Sequence, residues 1–208
     1  MEWVSVIVST LVALAVAISL PLSLRKRKKE GSQKVERLLS HLLEVGVKAS
    51  LLEKGVHERK VGVSRSWGQR SEGIIQIVGR NVDYINISSV ASQYGVGYFL
   101  DYLIRSPNWS VNQNRKKTRM VRKKGSGIGG RMDDIEWKGD DYLSRALNWD
   151  YQLKDKLLQA ELGELKDGIW IFPEPKYEYC RVRTAYFLPA PDLFEAIDII
   201  AKHIRSAW

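Results

Sequence analysis

Residues 74–90 read IIQIVGRNVDYINISSV. Ile74, Ile75, Ile77 and Val78 form one dense apolar run, Val82, Ile85, Ile87 and Val90 a second, and Gly79-Arg80-Asn81 divides them. β-Branched residues on both sides of a short Gly/Asn turn predict a hairpin. Val61 and Val63 alternate with polar neighbours just upstream, which extends the expectation to an antiparallel meander.

Towards the carboxyl terminus, Gly95-Val96-Gly97 interrupts the chain. YFLDYLIR (98–105) then fits either a short helix or a strand, ended by Ser106-Pro107-Asn108. Residues 134–138 predict a short strand. Residues 141–162 have a helical pattern, with Leu143, Ala146, Leu147, Leu153, Leu157 and Leu158 on one side and a candidate break at Asn148-Trp149-Asp150. Gly163 and Gly168 bracket a turn. IWIF (169–172) and YEYCRVRTAYFL (177–188) flank Pro173-Glu174-Pro175-Lys176 as a second hairpin. Residues 192–205 carry an amphipathic stripe of Leu193, Ala196, Ile197, Ile200, Ala201 and Ile204 behind Pro189 and Pro191. Strands gathered early and hairpin–helix units late predict an α+β class.

Towards the amino terminus, residues 33–54 read as a juxtamembrane amphipathic helix. Val35, Leu38, Leu42, Val45, Ala49 and Leu52 recur at alternating spacings of three and four, a heptad seam. Gly31-Ser32 marks a break before it and Gly55 a carboxyl-terminal cap. The seam serves either packing on the following domain or self-association with a protein partner or a second copy.

Ahead of this lies WVSVIVSTLVALAVAISLPLSL (3–24), 22 residues without a charge. As a helix it covers roughly 33 Å, enough for a hydrocarbon core of about 30 Å. Trp3 suits the outer interface. Arg25, Lys26, Arg27, Lys28 and Lys29 follow at once, and such a block resists translocation, whereas a cleaved signal peptide carries its cations before the apolar run. The expected protein is a single-pass cell-membrane protein with the amino terminus outside. Residues 3–24 form the transmembrane helix, 25–55 the basic stop and amphipathic helix, and 56–208 one antiparallel-sheet-plus-helices cytoplasmic domain. One cysteine, Cys180, excludes an internal disulfide framework and agrees with a reducing compartment.

A net charge of +9 suggests nucleic acid until it is localised. Five cations belong to 25–29 and seven to RKKTRMVRKK (115–124), which leaves the remainder at −3. The folded part is therefore mildly acidic, against a broadly basic binding face. Residues 106–132 are expected to be one long loop, basic and then Gly-rich.

Linear motifs for chemistry are weak. GSGIGG (125–130) matches G-x-G-x-x-G, but a cationic run precedes it instead of an apolar strand, so a linker is expected. The acids Asp133, Asp134, Glu136, Asp140 and Asp141 match no calcium loop and read as caps, turns or partners of the nearby cations. His41, His57 and His203 stand apart, with no paired ligand spacing. Cys180 shares a strand face with Val182 and reads as a buried, inert thiol. No metal, cofactor or catalytic residue is expected. The leading functional expectation is a membrane-anchored, non-enzymatic interaction or scaffold module.

The alternative is binding of an anionic surface through Arg115, Lys116, Lys117, Arg119, Arg122, Lys123 and Lys124, with Trp109 beside them. Anionic lipid attracts such cations at about 1 kcal/mol each near the surface. Nucleic acid is disfavoured, because Trp109 is the sole aromatic in 106–130 and stacking platforms interleave several. An enzyme without a linear motif is the third reading.

Overall fold

In a computed structural model, the described residues are 27–53, 69–105, 115–124, 132–160 and 168–207. They form an eight-stranded, wholly antiparallel sheet with four helices, an α+β architecture. Helix α1 covers 27–44. The strands are β1 (Ala49–Leu51), β2 (Gln69–Ile77), β3 (Tyr84–Ser92), β4 (Gly95–Arg105), β5 (Thr118–Lys124), β6 (Met132–Lys138), β7 (Trp170–Glu174) and β8 (Tyr179–Ala185). The remaining helices are α2 (Asp141–Trp149), α3 (Tyr151–Gln159) and α4 (Pro191–Ala207).

Strand order is β1-β2-β3-β4-β8-β7-β5-β6. The β2–β3 hairpin stands where the opening stretch predicts it, and β4 extends the meander through Gly95 and Gly97. Next in the chain, β5 and β6 stand at the far edge of the sheet, and α2 and α3 follow them. The β7–β8 hairpin, turned by a short 3-10 segment at Pro175–Tyr177, closes the gap between β4 and β5.

Alternation sorts each strand onto two faces. One face carries Ile75, Ile77, Ile85, Ile87, Leu100, Tyr102, Ile104, Met120, Ile171, Cys180 and Val182. It packs against Val35, Leu38 and Leu42 of α1, Leu143 and Leu147 of α2, Leu153 and Leu157 of α3, and the apolar stripe of α4. All four helices thus share one core. The opposite face holds a smaller apolar cluster of Ile74, Leu103 and Tyr179 at one end.

Several expectations are corrected. The amphipathic helix is 27–44, not 33–54: Gly46, at φ 80°, ends it, and Ala49–Leu51 is a strand paired with β2. Gly31-Ser32 is no break. A Cβ at Gly31 would stand 2.3 Å from Glu72 Oε2, so glycine there serves the close approach of α1 to β2. Glu72 itself is buried at the register shift between Ser71 and Gly73 and accepts a 2.6 Å hydrogen bond from Ser89 Oγ. Of the seam, Val35, Leu38 and Leu42 are spent on the sheet.

The loop expected over 106–132 contains the whole of strand β5 and the first residue of β6. Thr118 and Met120 are buried while Arg119 and Lys123 are exposed. Period-two alternation survives inside a cationic run because Lys and Arg can lay their aliphatic stems along a surface. The helical pattern from 141 divides into two helices, α2 and α3, within 141–159. Asp140 accepts from Leu143 N to start α2, and Asp150 accepts from Leu153 N to start α3.

Among the described residues no helix is long and apolar enough to cross a membrane. The anchor at 3–24, with Trp3, Arg25 and Lys26, lies outside the described residues, as do Val61, Val63, Gly55, His57 and GSGIGG.

Candidate functional site

The side chains that point away from the helices on β4, β8, β7 and β5 meet in the middle of the sheet. Register places Asp101 opposite Arg183, Arg183 opposite Trp170, and Trp170 opposite Arg119. One pleat away stand Phe99, Arg181 and Phe172. Four strands therefore bring residues from 99 to 183 onto one surface.

A fully buried carboxylate organises it. Asp101 Oδ1 accepts from Arg183 Nε at 2.6 Å, and Oδ2 accepts from Arg183 Nη2 at 2.9 Å and Ser88 Oγ at 2.8 Å. Arg181 Nη2 donates to Glu174 Oε1 at 2.8 Å and its Nη1 lies 3.9 Å from Asp101. Burial holds the Glu174 carboxyl above its usual range, with Arg181 pulling the other way and Asp101 adding to the rise. Both acids are thus committed to the two arginines.

Around this core lie π-faces and further cations. The Arg183 guanidinium is 5.1 Å from the Phe99 ring centre and 5.8 Å from that of Phe172, and Arg181 is 4.6 Å from Phe172. Trp170 and Phe172 stack at 6.5 Å with 25° between their planes. Lys117 Nζ stands 3.8 Å from the Trp170 ring centre and 4.5 Å from that of Phe172, with Arg119 at 5.6 Å from Trp170. Burial, then the repulsion of Arg119, Arg181 and Arg183, holds the Lys117 pKa below its ordinary value. Among the described residues neither Lys117 nor Arg119 is paired with a carboxylate. Phe99, Lys117, Gly168, Trp170, Phe172 and Arg183 line a cavity of about 330 Å3 there, completed by Thr184 and Ala185.

The seven cations of 115–124 are not gathered on one face. Arg115 is turned towards the fold, with Nη2 donating to Ala207 O at 3.2 Å and Nη1 3.9 Å from Asp140. Arg122 is half-buried on the face of Met120, and burial lowers its pKa. Lys123 pairs with Glu136 at 3.3 Å and Asp134 at 3.9 Å. Lys116 is exposed and Lys124 ends β5. Lys117 and Arg119 alone reach the aromatic surface. Trp109 lies outside the described residues, and Lys28 and Lys29 are exposed on the first turns of α1 beside a half-buried Arg27.

His41 Nε2 contacts Pro189 O at 2.8 Å, and His203 Nε2 contacts Asp150 Oδ2 at 2.6 Å, so both histidines tie elements together. Among the described residues no three His, Cys, Asp or Glu side chains gather as metal ligands.

Phe99, Asp101, Trp170, Phe172, Glu174, Arg181 and Arg183 are site residues that sequence reasoning missed. Their signals were present: an acid at the centre of YFLDYLIR, and two arginines at period two within YCRVRTA. A charge in the middle of an apolar strand needs a partner, and β4–β8 register supplies it. No protein-family model, curated protein or solved structure matches the chain.

Proposed function

We propose that the chain is a non-enzymatic binding module, held at a membrane by residues 3–24 with its sheet domain on the cytoplasmic side, that takes an anionic ligand on the Lys117–Arg119–Trp170–Phe172–Arg183 surface. One observation carries the binding half: Lys117 and Arg119 lie on the Trp170 and Phe172 rings beside Arg181 and Arg183, with no described carboxylate of their own. An anion is the partner that complements them. Lys117 now rests on Trp170, a contact worth about 0.5–1 kcal/mol at an exposed site. A hydrogen bond to a charged group is worth about 1.5–3 kcal/mol, so an arriving anion can draw the ammonium off the ring.

The anchoring half rests on the uncharged run and the cations that follow it. A reporter active only outside the cytoplasm, fused after Trp208, is expected to stay silent; an active reporter overturns the topology. For the site, the full-length chain in detergent micelles is titrated calorimetrically with pyrophosphate. The double variant Lys117→Gln/Arg119→Gln is expected to bind at least tenfold more weakly, and equal binding removes the surface as the site.

A further inference from the structure

We propose that the ligand of this surface is a nucleoside phosphate unit, its base against the Trp170 and Phe172 rings and its phosphate between Lys117, Arg119 and Arg183. This rests on the anion-binding reading above and names the ligand class. Three observations lead from an anion in general to this one.

First, the cavity is lined by π-surface as much as by charge. Phe99, Trp170 and Phe172 supply three rings, and Arg183 a planar guanidinium between two of them. A bare anion has no use for such a lining, whereas every nucleobase has a π-face that stacks on aromatics and on arginine. Secondly, the guanidinium is held in place. Its two bonds to Asp101 use Nε and Nη2, so Arg183 is preorganised and Nη1 remains as a donor for the ligand. Thirdly, the surface is concave. The Arg183 side chain is 16% exposed, and the cavity of about 330 Å3 is near the lower end of small-ligand sites. A bilayer headgroup plane can touch the exposed Lys117 and Arg119 and cannot reach the rings and Arg183 together. A phosphate suits several cations at once, and ring and phosphate in one molecule describe a nucleotide.

The same unit is offered by a free nucleotide and by single-stranded nucleic acid. Full-length protein in detergent micelles is titrated with AMP, with ribose 5-phosphate, which has the phosphate and lacks the base, and with the decamer rA10. AMP is expected to bind at least tenfold more tightly than ribose 5-phosphate. Trp170→Leu should remove that preference while ribose 5-phosphate binding persists, and Trp170→Phe should restore part of it. Lys117→Gln/Arg119→Gln should weaken both ligands alike. A decamer at least a hundredfold tighter than AMP identifies strand binding; equal affinity identifies the free nucleotide. Equal binding of AMP and ribose 5-phosphate, or a Trp170→Leu variant that loses both together, overturns the nucleotide while the anion site stands. Failure of pyrophosphate, AMP and rA10 to bind at all removes both.

Discussion

Asp101 and Arg183, 82 positions apart, form a two-bond ion pair in which the carboxylate has no solvent exposure. Removing one member of a buried pair strands the other charge, which costs about 3–5 kcal/mol. Asp101→Ala is therefore expected to lower stability by that order in urea denaturation. Arg205 Nη2 alone donates to both oxygens of Asp83 at 2.9 Å, and both side chains are partly exposed. Asp83→Ala should cost only about 1 kcal/mol or less from that pair.

Asp198 joins α4 to the β2–β3 turn. Its carboxylate accepts from Asn81 N at 2.6 Å, Asn81 Nδ2 at 2.9 Å and, more distantly, Val82 N at 3.4 Å. Asp198→Ala leaves those donors without their acceptor, and about 1–3 kcal/mol of destabilisation is expected. Hydrogen exchange at the Asn81 and Val82 amides should rise with it.

Asp150 caps α3 and meets His203. Burial pushes its pKa up, but the hydrogen bonds from His203 and Leu153 N outweigh this and hold it below the ordinary 3.8. A depressed carboxyl pKa contributes stability at pH above the unfolded value and loses it as pH falls through the folded one. Asp150→Ala should thus cost about 1 kcal/mol at neutral pH from the cap alone. The gap between the wild-type and variant thermal midpoints should close on acidification below 3.8.

Cys180 is fully buried in the core between the sheet and the helices, and burial pushes its thiol well above the usual range. Native protein should leave a chromogenic disulfide reagent unreacted at pH 8, and denaturant should release one thiol per chain. Rapid reaction of the native protein would contradict this packing.

Much of the fold was legible locally. Gly79-Arg80-Asn81 between two β-branched runs marks the first hairpin, Pro173–Lys176 the second, and the stripe from Leu193 to Ile204 the last helix. Asp140 could be read as a cap and Asn148-Trp149-Asp150 as a break because both are local signals, a cap being a contact within three residues. The end of α1 was misplaced because Val45, Ala49 and Leu52 continue a heptad spacing after Gly46 has stopped the helix. β5 was missed because seven cations in ten residues conceal the alternation of Thr118 and Met120.

By itself, then, the sequence determined the α+β class, the hairpins, the Asp140 cap, the inert thiol and the expectation of an anchor, all of which follow from periodicity and composition over a few residues. Only the tertiary structure decided the candidate site. Within 106–130 Trp109 is the sole aromatic, which counted against stacking. The β7–β8 hairpin enters the sheet between β4 and β5 and sets Trp170 and Phe172 beside Lys117 and Arg119, with Phe99 of β4 lining the same cavity. Strand order is set by how the whole chain buries its apolar faces, so side chains far apart in sequence become neighbours through ladders that no local pattern encodes.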